Sequence, residues 1–188
     1  NNDSLMSTLY QERELRLSLA GAQSKTGLFY KNNEYFVPQN GSPSNVIVKP
    51  TNKRYNDLVF NEYASMKIAA ALGIDTPVVQ LKKTQKQSLF MIHRYDRILT
   101  DQSIQRLHQE DFCQALGIQN QNKYEADGGP SFKQCINLLR AGTTVPSLEI
   151  NKFIRLFLFN TIIGNKDAHG KNYSILYINN KRILAPAY

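Results

Sequence analysis

The sequence of 188 residues has no tryptophan, two cysteines and three histidines. Cys113 and Cys135 stand among apolar neighbours in predicted helices, which indicates buried thiols rather than a disulfide or a metal pair. His93, His108 and His169 have no second histidine or cysteine at zinc-ligand spacing, and no G-x-S-x-G motif is present. Zinc-dependent and serine-hydrolase chemistry are therefore disfavoured.

The sequence also lacks long apolar runs. No run reaches membrane-spanning length, and residues 1–4 do not resemble a signal peptide. Together with the buried thiols, this predicts a cytoplasmic protein without a membrane partner. The net charge is +8, but the basic residues are scattered and not interleaved with aromatic ones, so direct nucleic-acid binding is not predicted.

One polar loop carries residues that suit phosphate transfer. Asp167 and Asn172 are five residues apart, the offset of the aspartate and asparagine in the catalytic loop of protein kinases. There the aspartate orients the acceptor hydroxyl and the asparagine binds magnesium, and Lys171 could neutralise phosphate charge. A solvated turn between a helix and a strand would explain the same residues. Asn179-Asn180 predicts the turn of a following hairpin.

The first 97 residues predict about five strands and one helix, the helix at residues 57–72 with Gly73 as its stop. Lys49 ends one strand, and Glu62 lies in the second turn of the helix. In kinases a glutamate on such a helix holds the lysine that binds the α- and β-phosphates. Taken singly, each residue would equally suit an exposed surface.

A loop at residues 21–26 lies between predicted strands at residues 15–20 and 27–30, as a phosphate-covering loop would. It is not a Walker A loop, because Leu19 and Ser24 occupy places where that motif has glycine. An ordinary hairpin is the alternative.

From residue 98 onward the pattern predicts helices, at residues 108–117, 132–140 and 148–163. The last helix is apolar nearly all round from Phe153, which predicts burial at the centre of a second lobe. The change from strands to helices divides the chain into predicted lobes at residues 1–97 and 98–188.

Five ordered segments resemble the HipA-type toxin kinases of bacterial toxin–antitoxin systems, and the resemblance covers the chain from about residue 15. The segments are Ser18-Leu-Ala-Gly-Ala-Gln-Ser-Lys25, Ile47-Val-Lys-Pro50, Asn61-Glu62 with Ala69-Ala-Ala-Leu-Gly73, Arg94-Tyr-Asp-Arg97 with Glu110-Asp-Phe-Cys-Gln-Ala-Leu-Gly117, and Asp167-Ala-His-Gly-Lys-Asn-Tyr-Ser174.

The resemblance implies an α+β, protein-kinase-like fold of two lobes: a β-rich N-lobe with one helix, then a helical C-lobe that is incomplete in this sequence. In the family, an aspartate that is the second magnesium ligand follows the tyrosine found here as Tyr188, where the sequence stops. The chain also resembles a short form without the N-terminal subdomain, whose place a separate small protein takes.

The resemblance further implies ATP and Mg²⁺ as cofactors. Asp167 would act as the base with Lys171 beside it, and Asn172 would bind magnesium. Residues 91–95 would form the hinge over which adenine lies. The implied nucleotide-binding residues are Ala20, Gly21, Ala22, Gln23, Lys25, Lys49, Glu62, Met91 and His93.

The implied activity is that of a serine/threonine protein kinase, which transfers the γ-phosphate of ATP to a protein hydroxyl, in this family on an aminoacyl-tRNA synthetase. Antitoxin proteins are the implied partners. Two alternatives stay open. One is a catalytically inactive pseudokinase that binds a nucleotide or a partner, and the other is a kinase that acts on a small molecule.

The resemblance places the family's regulatory serine at Ser18, so we expect Ser18 to be an autophosphorylation site. A phosphate there would add roughly two negative charges beside the nucleotide phosphates and switch the kinase off. Intact mass and peptide mapping after incubation with magnesium and ATP should locate a phosphate at Ser18. A phosphate that still appears on this loop in the Ser18→Ala variant would contradict the assignment of Ser18 as the autophosphorylation site.

Overall fold

The structure, a computed structural model, describes residues 25–39, 41–51, 57–85, 87–100 and 103–187. The chain divides into two compact units. The first comprises the described residues of Asn1–Lys67 with Pro77–Gln105, and the second comprises those of Ile68–Thr76 with Arg106–Tyr188. The predicted strand at residues 15–20 lies outside the described residues.

The first unit contains a five-stranded antiparallel sheet, made of β1 (Thr26–Lys31), β2 (Glu34–Phe36), β3 (Val46–Pro50), β4 (Val79–Lys83) and β5 (Ser88–His93). The strand order is β2-β1-β3-β5-β4. Asn32 and Asn33 join β1 to β2 with φ angles of 52° and 65°, the left-handed values of a type I′ hairpin turn.

Both faces of the central strands are buried. Val48 and Met91 pack on one face, whereas Ile47 and Phe90 pack on the other, against helix α1 (Leu58–Ala71). Burial on both faces explains why β3 and β5 are continuous apolar runs rather than alternating ones. The predicted helix is present, and Gly73 follows it at a φ of 71°, as expected for a helix stop.

The chain beyond residue 97 contains more strands than predicted. β6 (Arg97–Leu99) and β7 (Ile104–Arg106) form a two-stranded ribbon. β8 (His108–Asp111) then precedes the short helix α2 (Phe112–Ala115), so the predicted helix at residues 108–117 is wrong in its first half. The reason is tertiary: β8 pairs with β9 (Ser174–Ile178), a partner too distant in sequence to show in a local pattern.

The second unit contains a three-stranded antiparallel sheet in which β9 lies between β8 and β10 (Lys181–Leu184). Asn179 and Asn180, with φ angles of 48° and 60°, form the turn between β9 and β10, which confirms the predicted turn. Helices α3 (Phe132–Gly142) and α4 (Pro146–Ile162) complete this unit. Its core consists of Phe112, Cys135, Leu139, Phe153, Leu156, Tyr173, Ile175, Leu184 and Ala187.

Helix α4 buries one stripe and exposes the rest. Phe153, Leu156 and Phe159 are buried at three-residue spacing, whereas Phe157 is exposed and Ile162 is 82% exposed. The predicted burial of this helix is confirmed on this stripe only, because the described residues cover only one side of it. None of the helices in the described ranges is long and apolar enough to cross a bilayer.

The two kinds of position on α4 should differ sharply in their contribution to stability. We expect Phe153→Ala to lower the free energy of unfolding by about 3–5 kcal/mol, because it empties a closely packed core site. Ile162→Ala, at an exposed position of the same helix, should change it by less than about 0.5 kcal/mol. Urea denaturation measures both, and equal losses would contradict the assignment of the buried stripe.

Candidate active-site residues

An ion pair joins the sheet to helix α1 in the first unit. Lys49 follows Ile47 by two residues, so its side chain lies on the helix face of the sheet. Glu62 follows Val59 by three residues, which places it on the side of α1 that packs on the sheet. Lys49 Nζ donates to Glu62 Oε2 at 2.6 Å, and the two side chains are only 16% and 27% exposed. The structure thus brings together two of the predicted site residues.

Lys25 adds a second ammonium group to this pair. Thr26 is the partner of Val48 in the sheet, so Lys25 lies next to Lys49. Burial lowers the pKa of Lys25, the charge of Lys49 lowers it further, and the Glu62 carboxylate opposes both. Two ammonium groups beside one carboxylate leave a net positive charge, which suits a phosphate. The other predicted residues of the phosphate loop lie outside the described residues: Ser18, Ala20, Gly21, Ala22 and Gln23.

The side chains of Met91 and His93 lie on the opposite face of the sheet from the ion pair. Met91 is fully buried, and the Tyr35 hydroxyl donates to its Sδ at 3.6 Å. The His93 ring meets the Tyr30 ring edge-on at 5.6 Å, and burial lowers the pKa of His93. The structure does not bring these side chains to the ion pair, and their assignment to adenine stays a prediction.

A buried carboxylate anchors the chain directly after β5. Asp96 is 6% exposed and accepts hydrogen bonds from Arg94 Nε at 2.9 Å and from Arg97 Nη1 at 2.6 Å. Burial alone would raise the pKa of Asp96, but the hydrogen bond and charge of Arg94 and the charge of Arg97 lower it overall. Arg97 Nε also donates to the Ser44 carbonyl at 3.1 Å, which ties this segment to the loop before β3.

Asp167 belongs to a loop of the second unit, residues 165–172, which we call the Asp167 loop. Gly164, at a φ of 67°, ends the preceding helix, and the Asp167 N–H donates to Asn165 Oδ1 at 3.1 Å. The Asp167 carbonyl accepts hydrogen bonds from Asn172 Nδ2 and from the His169 N–H. These bonds hold the backbone and leave the Asp167 side chain 74% exposed, as a base that meets a substrate must be.

Asn172 is oriented by the same contact. Because its Nδ2 donates to the Asp167 carbonyl, its Oδ1 remains as an acceptor. Magnesium prefers oxygen ligands and usually takes several of them from substrate phosphates and water, so this amide oxygen fits a magnesium-binding role. Within the described ranges, no group of three or more His, Cys, Asp and Glu side chains could hold a metal ion.

A second loop of the same unit, residues 119–131, contacts the Asp167 loop, and we call it the bracing loop. The sequence does not predict this contact, because the turn-rich composition of the bracing loop does not indicate which segment it meets. The contacts are the Gly170 N–H to the Lys123 carbonyl at 3.0 Å, Lys171 Nζ to Asn120 Oδ1 at 3.2 Å, and the Tyr124 hydroxyl to Asp167 Oδ1 at 3.2 Å.

Close approaches between the two loops, at Gly170, and within the bracing loop, at Gly129, require glycine. A Cβ on Gly170 would lie 2.6 Å from Pro130 Cγ and 3.0 Å from Cys113 Sγ. A Cβ on Gly129 would lie 2.6 Å from the Tyr124 carbonyl oxygen. Real Cβ atoms do not come so near to backbone or ring atoms, so both positions exclude a side chain.

His169 is buried beside the exposed Asp167 carboxylate. Its Nε2 lies 3.4 Å from Asp167 Oδ1, and its Nδ1 has no hydrogen-bond partner among the described residues. Burial lowers the pKa of His169, the charge of Lys123 lowers it further, and Asp167 opposes both. A pKa below the ordinary histidine value of about 6.5 favours the neutral ring at pH 7.

Proteins of known name share much of this sequence. The Shewanella oneidensis serine/threonine-protein kinase toxin HipA is 35% identical over 172 residues, which cover 85% of this chain and 39% of that protein. Y4mE of Sinorhizobium fredii is 42% identical over 175 residues, which cover 93% of this chain and 42% of that protein. The chain therefore spans about two fifths of the length of these relatives.

Solved structures share the fold. HipA in the Shewanella oneidensis MR-1 complex of HipA, HipB and operator DNA aligns with a TM-score of 0.80 and 31% identity, over 92% of this chain and 43% of that chain. The Helicobacter pylori proinflammatory kinase CtkA aligns with a TM-score of 0.63 and 20% identity, over 92% of this chain and 55% of that chain. The predicted α+β, protein-kinase-like fold is confirmed.

The family described as HipA-like C-terminal domain matches residues 17–188, which is most of the chain. This match and the identity to HipA confirm the resemblance inferred from the five sequence segments. The chain belongs to the family of HipA-like C-terminal domains.

Proposed function

We propose that this protein is an ATP-dependent serine/threonine kinase that transfers the γ-phosphate to a protein hydroxyl. The observation that carries the proposal is the ion pair of 2.6 Å between Lys49 on β3 and Glu62 on α1. Kinases need this pair in place to bind the α- and β-phosphates. The relative from Shewanella oneidensis, which is named a serine/threonine-protein kinase toxin, supports the same activity.

In the proposed reaction, the first unit binds the nucleotide. Lys49 contacts the α- and β-phosphates, Glu62 holds Lys49 in place, and Lys25 adds positive charge. The nearby loop residues would cover the phosphates, and Ser18 would be the autophosphorylation site. Further nucleotide contacts belong to the same proposal: Ala20, Gly21, Ala22, Gln23, Met91 and His93.

The second unit supplies the groups that act on the acceptor. Asp167 accepts the proton of the acceptor hydroxyl as the hydroxyl oxygen attacks the γ-phosphorus. The bond from this phosphorus to the oxygen that bridges it to the β-phosphate breaks, and ADP leaves. Lys171, whose Nζ is held by Asn120, neutralises charge on the phosphoryl group. Asn172 would hold magnesium through its amide oxygen, and bound magnesium supplies charge neutralisation at the β- and γ-phosphates.

The proposal extends to substrates and partners. We propose a protein substrate, an aminoacyl-tRNA synthetase, and an antitoxin partner. HipA of Shewanella oneidensis is seen with HipB and operator DNA, which supports an antitoxin partner. The proposal includes no direct nucleic-acid binding by this chain. We also propose that a separate small subunit takes the place of the N-terminal subdomain and that the protein is cytoplasmic. The proposed lobes are residues 1–97 and 98–188.

Replacing the base should slow transfer severely and spare nucleotide binding. We expect Asp167→Asn to lower kcat by about 10²–10⁴-fold, because an amide cannot accept the proton. The affinity for ATP should stay nearly intact, since Asp167 acts on the acceptor. Asp75→Asn, the same change at a position whose side chain is 57% exposed and lies outside both loops, serves as the control. The assay is transfer of labelled γ-phosphate by the native full-length protein.

The outcome separates the candidate functions. Undiminished transfer by Asp167→Asn would contradict the assignment of Asp167 as the base. A native protein that binds ATP but transfers nothing would favour the pseudokinase. Transfer to a hydroxylated metabolite and to no protein would favour the small-molecule kinase.

Breaking the ion pair should weaken nucleotide use. Hydrogen bonds to charged groups contribute about 1.5–3 kcal/mol, so we expect Glu62→Gln to lower kcat/KM for ATP by roughly 10–100-fold. The control is Glu34→Gln, at an exposed position on the edge strand β2. Steady-state kinetics with varied ATP measures both, and equal values for the two variants would contradict the proposed role of Glu62.

A further inference from the structure

An exposed base must be held in one orientation to act efficiently. The Asp167 side chain is 74% exposed, and the torsion that turns a carboxylate has a broad, two-fold profile. Such a carboxylate samples many orientations unless a donor fixes one of its oxygens. A group that supplies this donor would therefore contribute to the rate without touching the substrate.

Two side chains approach the same oxygen of this carboxylate. The Tyr124 hydroxyl donates to Asp167 Oδ1 at 3.2 Å, and His169 Nε2 lies 3.4 Å from that atom. Both contacts are to Oδ1, so Oδ2 is the oxygen that they leave for an acceptor hydroxyl. Tyr124 reaches Asp167 from the bracing loop, 43 positions earlier in the sequence, so the contact is not a by-product of the Asp167 loop's own turn.

Tyr124 is itself fixed at both ends. Its carbonyl accepts hydrogen bonds from the Asp127 N–H at 3.0 Å and from the Gly129 N–H at 2.8 Å. Its ring meets the buried His169 ring edge-on at 5.0 Å, and Lys123 Nζ lies 5.1 Å from the ring centroid on its face. A donor whose backbone and ring are both held can impose its direction on a mobile carboxylate.

We propose that Tyr124 is a positioning residue, which holds Asp167 Oδ1 so that Oδ2 faces the acceptor hydroxyl. The proposal rests on the proposed function, in which Asp167 is the base. In this role Tyr124 acts only through its hydrogen bond to Asp167. The buried His169 ring packs edge-on against the Tyr124 ring, and the bracing loop holds Tyr124 in this position.

The test removes the Tyr124 hydroxyl and keeps its ring. In the native full-length protein, Tyr124→Phe should lower kcat about tenfold and leave KM for ATP within about twofold. The matched control is Tyr177→Phe, because the Tyr177 hydroxyl also donates to a carboxylate, that of Glu110, in the same unit. Tyr177→Phe should leave both kinetic constants unchanged. Thermal unfolding of both variants compares their stability.

A double substitution distinguishes positioning from a general structural effect. If Tyr124 acts only through the Asp167 carboxylate, Tyr124→Phe should cause no further loss in an Asp167→Asn background. A structural role would instead lower the residual single-turnover rate by the same factor in both backgrounds.

The outcomes separate two claims, the role of Asp167 as the base and the role of Tyr124 in positioning it. Full activity of Asp167→Asn would overturn the proposed base, and with it the positioning role that rests on that base. Inactive Asp167→Asn together with wild-type kcat in Tyr124→Phe would overturn only the positioning role. A loss in Tyr124→Phe that repeats in the Asp167→Asn background, or that Tyr177→Phe matches, would overturn it as well.

Discussion

The contact between Lys49 and Glu62 depends on how the sheet and helix α1 are packed. Ile47 and Val59 are buried between them, and this apolar contact sets their separation. Lys49 lies two residues after Ile47 on the strand, and Glu62 lies three residues after Val59 on the helix. Both side chains are on the surfaces that face each other, where the separation allows an ion pair of 2.6 Å. Because both side chains are mostly buried, removing either charge leaves the other poorly solvated, unlike a surface pair. The pair therefore depends on the apolar core and also constrains it.

The features that could be predicted from the sequence have signals within a few residues. Strand β3 is an apolar run, and helix α1 has a helical pattern closed by Gly73. The Asn179-Asn180 turn follows from the tolerance of asparagine for positive φ. In the site, Lys49 and Glu62 could be paired because their order and spacing match the kinase arrangement. Even here the sequence does not show that Lys25 lies beside them, since that follows from the register of β1 against β3.

The features that could not be predicted depend on distant contacts. The local pattern at β8 predicts a helix, because the partner strand that makes it a strand lies far along the chain. One local signal does mark the start of helix α2: Asp111 and Gln114 form a capping box, in which each side chain accepts the other's N–H. This signal places the helix start at Phe112. The bracing loop has no comparable signal, because hydrogen bonds from Tyr124 and Asn120 to another loop leave no mark on local composition.

The close contact of the bracing loop with the Asp167 loop sets the smallest piece of this protein that could be transplanted into another scaffold. A graft of residues 165–172 alone would carry Asp167 without Tyr124, and Gly170 without the Pro130 ring that it faces. Cys113 also contacts Gly170, so the transferable module begins at helix α2 and ends with strand β9. A design that copied only residues 165–172 would reproduce the sequence of the motif but not its geometry.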